Sequence, residues 1–231
     1  PSTAGLLEFA WVSPAEAAEQ GQEPAKERLI QMVKEGRLPH ALLFCGPEGV
    51  GKMALAMAFA SYLLTIPDGE DNGSLDTTNA LAMLRKWEHP DLHFSYPTIK
   101  RSNMSSDHQP ISNDFTQEWH EMIMQGTYFT MNQWMNQMGA TTQQAIITGA
   151  ESDELSRVLA LKSSQGGYKV SIIWLPERMN LTSANKLLKL LEEPPQGTIF
   201  LMVCEEPEKL LETIISRTQR IDVKRIKDEA I

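Results

Sequence analysis

The chain has 231 residues, of which 42% are hydrophobic and 22% charged. That is the make-up of an ordinary globular protein of one large domain, or one domain and a fragment, and it excludes a collagen-like fibre, a coiled-coil rod or a disordered tail. With 21 basic against 30 acidic residues the net charge is -9, so contact with nucleic acid is expected only through a local patch or through partners.

The two cysteines, Cys45 and Cys204, lie in apolar runs and read as buried thiols of a reducing compartment. They are too few for a four-Cys zinc site. No window approaches the ~18 apolar residues that cross a bilayer, and Pro1 to Gln20 lacks the basic and then apolar pattern of a leader. A cytoplasmic location without membrane contact is therefore expected.

In chain order, Glu23 to Glu35 carries Leu29, Met32 and Val33 at helical spacing and stops at Gly36. Ala41 to Cys45 is a short apolar run, as in a strand buried on both faces. From Lys52 to Leu64, the residues Leu55, Ala58, Phe59 and Tyr62 form a helical stripe that packs back on a sheet. Asp68 to Ser74 and His89-Pro90-Asp91 read as loops. Helical material rich in Met, Gln and Trp is expected from Asn113 to Met138, with Trp119 and Trp134 as core. Tyr168 to Trp174 and Thr198 to Cys204 read as two more buried strands. The helix between them has Thr182 or Ser183 as its expected N-cap, Ala184, Leu187, Leu188 and Leu191 on one face, and Pro194-Pro195 as its stop. Strands alternating with helices imply an α/β fold with a mainly parallel sheet flanked by helices.

Gly46-Pro47-Glu48-Gly49-Val50-Gly51-Lys52 fits the G-x-x-x-x-G-K pattern, placed between a strand and a helix. Glycines there let backbone N–H groups curl around a phosphate, and the lysine reaches its outer oxygens. Hydrolysis also requires a hydroxyl after the lysine, an acid at the tip of a second strand and a group that orients water. Met53 follows Lys52, and Trp174 and Leu175 stand where the two acids are expected. A thioether does not replace an oxygen ligand of magnesium. Glu177, three residues past the first acid position, is expected to point elsewhere. No metal site is expected; ATP or ADP should bind weakly, and no cofactor is required.

Gly36-Arg37-Leu38-Pro39-His40, His89-Pro90-Asp91-Leu92, Ala184 to Lys189 with Leu191-Glu192-Glu193-Pro194-Pro195, and Ser216-Arg217-Thr218 resemble the bacterial DNA polymerase III clamp loader. The likeness is greatest to subunits of the delta prime kind. It covers roughly Gly21 to Arg220 and implies an AAA+ P-loop domain over 21–221 with an insertion at about 65–145. It also implies an N-terminal segment at 1–20 and the start of a lid at 222–231. The implied partners are the gamma or tau ATPase subunits and delta, with the sliding clamp and primer-template DNA reached through the complex. By the same resemblance Arg217 is an arginine finger for a neighbouring subunit's ATP site, and Ser216 caps or braces its turn. The family's zinc module is not expected, because Thr65 to Glu88 contains no cysteine. Glu205-Glu206 stands where related ATPases sense the γ-phosphate, and two negative charges there would oppose ATP.

Lesser signals are read structurally. His89 and His93 have the spacing of a helical zinc pair, but Pro90 and Asp91 break a helix. Glu192 and Glu193 are expected at a helix end, and Arg178, Lys186 and Lys189 form a small basic face. Two rivals stay open: an active clamp-loader ATPase with unconventional magnesium ligands, and a P-loop nucleotide kinase.

Overall fold

The computed structural model describes residues 23–66, 77–164 and 166–224. The expected segment 1–20, the loop 68–74 and the stretch 225–231 lie outside them. The elements are α1 (Glu23–Lys34), β1 (Ala41–Cys45), α2 (Lys52–Thr65), α3 (Thr77–Arg85), β2 (Leu92–Ser95), α4 (Thr116–Gln125), α5 (Met131–Gln137), α6 (Gly149–Leu159), β3 (Lys169–Trp174), α7 (Leu181–Glu192), β4 (Thr198–Cys204), α8 (Glu212–Ile215) and β5 (Gln219–Asp222).

The strands form one sheet in the order β2-β3-β4-β1-β5, every pairing parallel. Central strands are buried on both faces because successive side chains alternate between two cores. Leu42, Phe44, Ile172, Trp174, Leu201 and Val203 point to the side of α2 and the middle section. Leu43, Cys45, Ile173, Phe200, Met202 and Cys204 point to the side of α6 and α7. The free thiols of Cys45 and Cys204 stand at facing register positions in β1 and β4. α2 is buried along its whole length, as an all-round apolar helix must be.

The middle section differs from one continuous helical run. A 3-10 turn at Ser112–Phe115 leads into α4, which ends at Gly126, and α5 restarts at Met131. The restart has a local cause: Thr130 Oγ1 accepts from the Gln133 amide at 3.2 Å, while the Thr130 amide donates to Gln133 Oε1 at 2.8 Å. Trp119 and Trp134 are core residues, 3% and 0% exposed, and the indole N–H of Trp134 donates to the Pro97 carbonyl at 2.7 Å. Strands β2 and β5 and helices α3 and α6 add to the expected elements. β5 carries the sheet through Asp222, and Val223 behind it is buried.

The N-cap of α7 is Asn180 rather than Thr182 or Ser183. The chain arrives extended, with the Asn180 amide donating to the Ile147 carbonyl at 3.1 Å, so Asn180 is the last non-helical residue. Its side-chain oxygen accepts from the Ser183 amide at 2.8 Å. The Ser183 hydroxyl instead meets that of Ser152 at 2.7 Å, joining α7 to α6. Asn180→Ala should therefore cost about 1 kcal/mol of unfolding free energy, whereas Thr182→Ala should stay within about 0.5 kcal/mol. Urea titration of the two variants checks the assignment.

Candidate functional site

The phosphate-loop residues form the tight connection from β1 to α2. Gly49 and Gly51 hold φ of 80° and 89°, the left-handed region that glycine enters without a Cβ clash, and Gly51 caps α2. Gly46, Pro47, Glu48 and Gly49 lie at or near the surface, while Val50, Gly51, Lys52 and Met53 are buried. The Lys52 ammonium folds back on the loop, where Nζ donates to the Pro47 carbonyl at 2.5 Å. Burial pushes its pKa below the ordinary lysine value, opposed by the nearby carboxylates of Glu205 and Glu177.

A cavity of about 250 Å³ opens beside this loop. Gly49, Gly51, Lys52 and Met53 form one wall, and Trp174, Val203 and Glu205 come from the tips of β3 and β4. The remaining wall is Thr127–Thr130 and Gln133, the connection between α4 and α5. The middle section thus reaches the phosphate loop, a contact for which the sequence carried no signal. Its Phe129 ring meets Trp174 edge to face at 5.1 Å between centroids, and Trp174 lies 5.6 Å from Trp119. Tyr96 and Trp134 pack on Trp119 at 4.0 and 5.2 Å. An indole and a phenyl ring therefore occupy the side of the loop where the expected acid would face the metal.

Leu175, at the second acid position, is also buried and takes φ 60° and ψ 61°, uncommon for a branched side chain. This turn redirects the chain, so Glu177 points back toward the site, contrary to expectation. Its Oε2 accepts from the amides of Glu205 and Glu206 at 2.8 and 2.7 Å. The expected pair of opposing negative charges is also divided: Glu205 lines the cavity near Lys52, while Glu206 pairs with Lys209 at 2.8 Å. Burial pushes the Glu205 carboxyl above its ordinary value, and Lys52 partly offsets that. Among the described residues no cluster of three or more His, Cys, Asp or Glu side chains has the arrangement of a metal site. His89 and His93 do not share a helix: the Nδ1 of His89 accepts from the Asp91 amide at 3.0 Å in the loop, and His93 lies in β2.

On the far side of β1, three separated signature segments meet. His40 Nε2 lies 2.9 Å from the Leu191 carbonyl near the end of α7. Glu192, the last residue of α7, pairs with Arg217 at 2.9 Å, and Arg217 Nη1 donates to the Thr213 carbonyl at 2.8 Å. The Ser216 hydroxyl donates to that same carbonyl at 3.1 Å. The fourth signature, His89-Pro90-Asp91-Leu92, works at the opposite sheet edge, where the Asp91 carboxylate accepts from the Ser164 amide at 2.9 Å. The basic face is reduced, because Lys186 is held by Asp153 at 2.7 Å.

The family described as DNA polymerase III, delta subunit, matches residues 21–227. The chain belongs to this family. Relatives include the delta' subunit of Bacillus subtilis, 26% identical over 206 residues that span 88% of this chain and 47% of the relative. The delta' subunit of Pseudomonas aeruginosa is 30% identical over 178 residues, spanning 77% of this chain and 41% of that one. The chain thus spans about half the length of the curated relatives it matches. A crystal structure of a gamma subunit-related protein from Thermotoga maritima superposes with a TM-score of 0.50 at 16% identity, covering 87% of this chain and 47% of that chain. The fold is that of a P-loop AAA+ domain.

In this DNA polymerase III delta family member, Trp174 joins the sheet to the middle section. Trp174→Asp, which restores the expected acid, should bury a carboxylate among Phe129 and Trp119. A loss of about 3–5 kcal/mol of stability is expected, with no gain in magnesium-dependent ATP binding. Denaturant melts and calorimetric titration of the variant check both parts.

Proposed function

We propose that this domain is the AAA+ module of a cytoplasmic delta prime clamp-loader subunit that does not hydrolyse ATP. It presents a rigid interface and the Arg217 guanidinium to a neighbouring gamma or tau ATPase subunit. The sliding clamp and primer-template DNA are engaged by the assembled complex, together with delta. Family membership supports the first part of this reading. The observation that supports the non-hydrolysing part is the aromatic contact of Trp174 with Phe129 beside a loop that ends Lys52-Met53. The side chains of Trp174, Phe129 and Met53 offer no oxygen to a magnesium ion, which needs several oxygen ligands in near-octahedral order. The glycine loop and Lys52 give ATP or ADP a weak hold at most.

Arg217 suits the finger because a planar, permanently charged fork matches a γ-phosphate whose charge spreads in the transition state. Supplying that charge from outside the ATPase subunit makes turnover depend on assembly.

In the full-length protein assembled with its ATPase partners, Arg217→Ala should lower turnover at the neighbouring site roughly 10³- to 10⁵-fold while the complex still forms. Steady-state ATPase and gel filtration of the same preparation measure the two outcomes. Calorimetric titration of the isolated chain should show no strengthening of ATP binding on adding magnesium. Micromolar, metal-dependent binding, with turnover lost on Lys52→Ala, would establish the active ATPase instead. Phosphate transfer to a nucleotide acceptor would establish the kinase.

A further inference from the structure

We infer that Glu192 is a positioning residue for Arg217, an inference that rests on the finger reading of that arginine. The pair joins two segments far apart in sequence, the end of α7 and the turn after α8. Arg217 is held at both terminal nitrogens, Nη2 by Glu192 Oε1 at 2.9 Å and Nη1 by the Thr213 carbonyl at 2.8 Å. Two anchors on different nitrogens fix the guanidinium plane and not merely its location, and the fork's remaining N–H groups stay available to an anion.

An exposed ion pair ordinarily contributes little, because two long side chains must be ordered to form it. Here both backbones are already fixed. Leu191, beside Glu192, is 1% exposed, and its carbonyl is engaged by His40. On the other side Ile214 is 1% exposed, and its carbonyl accepts from the Arg217 amide at 3.0 Å. Leu191 and Ile214 belong to the same apolar cluster, so the spacing of α7 and α8 is set by the core. The pair itself lies at the surface, with side chains 36% and 44% exposed, where a neighbouring subunit can reach it. A reacting phosphoryl group needs its partner charge within a fraction of an ångström of the productive position. A carboxylate that pre-sets the guanidinium supplies that accuracy before the neighbour arrives.

The test is a double-mutant cycle of Glu192→Gln and Arg217→Ala in the full-length protein assembled with its ATPase partners, with complex formation checked for each variant. Gln keeps the size of the side chain and removes its charge. Glu192→Gln is expected to lower kcat roughly 3- to 30-fold with KM for ATP unchanged, and to add nothing in the Arg217→Ala background. A carboxylate that merely braced the helix end would lower activity further in that background, and such additivity would overturn the inference. Wild-type kcat in Glu192→Gln, beside a large loss in Arg217→Ala, would also overturn it while leaving the finger in place. Wild-type turnover in Arg217→Ala would overturn the finger reading, and the positioning role with it.

Discussion

The contact between the Trp174 indole and the Phe129 ring ties two parts of the molecule together. Trp174 ends a central strand of the sheet, and Phe129 comes from the connection between two helices of the middle section. The rings meet edge to face, the arrangement favoured by the aromatic quadrupole, within a cluster that also contains Trp119, Tyr96 and Trp134. An acidic tip on β3 would have to remain hydrated or metal-bound, and the middle section would then have no apolar floor at that edge. The aromatic residue at this position serves packing. The middle section is anchored to the phosphate-loop side of the sheet through Trp174, the residue at the first position where an acid was expected.

A second constraint operates across β1. Helix α7 ends where His40, Leu191, Glu192 and Arg217 converge, so segments scattered over nearly the whole described chain serve one local geometry. His40 is held at the start of β1 by its own carbonyl, which accepts from the Phe200 amide at 2.7 Å on β4. The order of β4, β1 and β5 therefore fixes where α7 stops and where the turn carrying Arg217 begins. Motifs that read as separate signatures in the sequence are parts of one corner of the fold.

How much of this was legible follows from the strength of each local signal. β1 and β4 are nearly unbroken apolar runs, β3 has Val170, Ile172, Ile173 and Trp174 in a stretch of six, and α2 and α7 carry clear helical stripes, so their existence follows from the residues alone. β2 is Leu-His-Phe-Ser at a sheet edge and β5 is Gln-Arg-Ile-Asp, too short and polar to show a period. α6 opens with Gly-Ala-Glu-Ser-Asp-Glu and shows its apolar face only at Leu155 and Leu159. That Met53, Trp174 and Leu175 carry no oxygen-bearing side chain was readable directly. The return of Glu177 was not, because it depends on a left-handed turn at a leucine, where sequence favours glycine or asparagine. The ion pair between Glu192 and Arg217 depends on how α7 and α8 pack and has no local signature.

The retained glycines need not imply a retained nucleotide. A Cβ at Gly46 would stand 2.3 Å from the Val223 carbonyl, so the strand leaving the sheet after Arg217 requires glycine there, with or without phosphate. The Val223 amide donates in turn to the Cys45 carbonyl at 2.8 Å, closing the sheet against the loop. Gly49 and Gly51 satisfy left-handed backbone turns, and Lys52 bonds to the loop's own Pro47 carbonyl. Each of these residues therefore has a packing or bonding role within the fold. The same bend that can cradle an anion also joins β1 to α2 and seats the strand that follows the arginine, so the fold by itself gives these glycines a reason to be there.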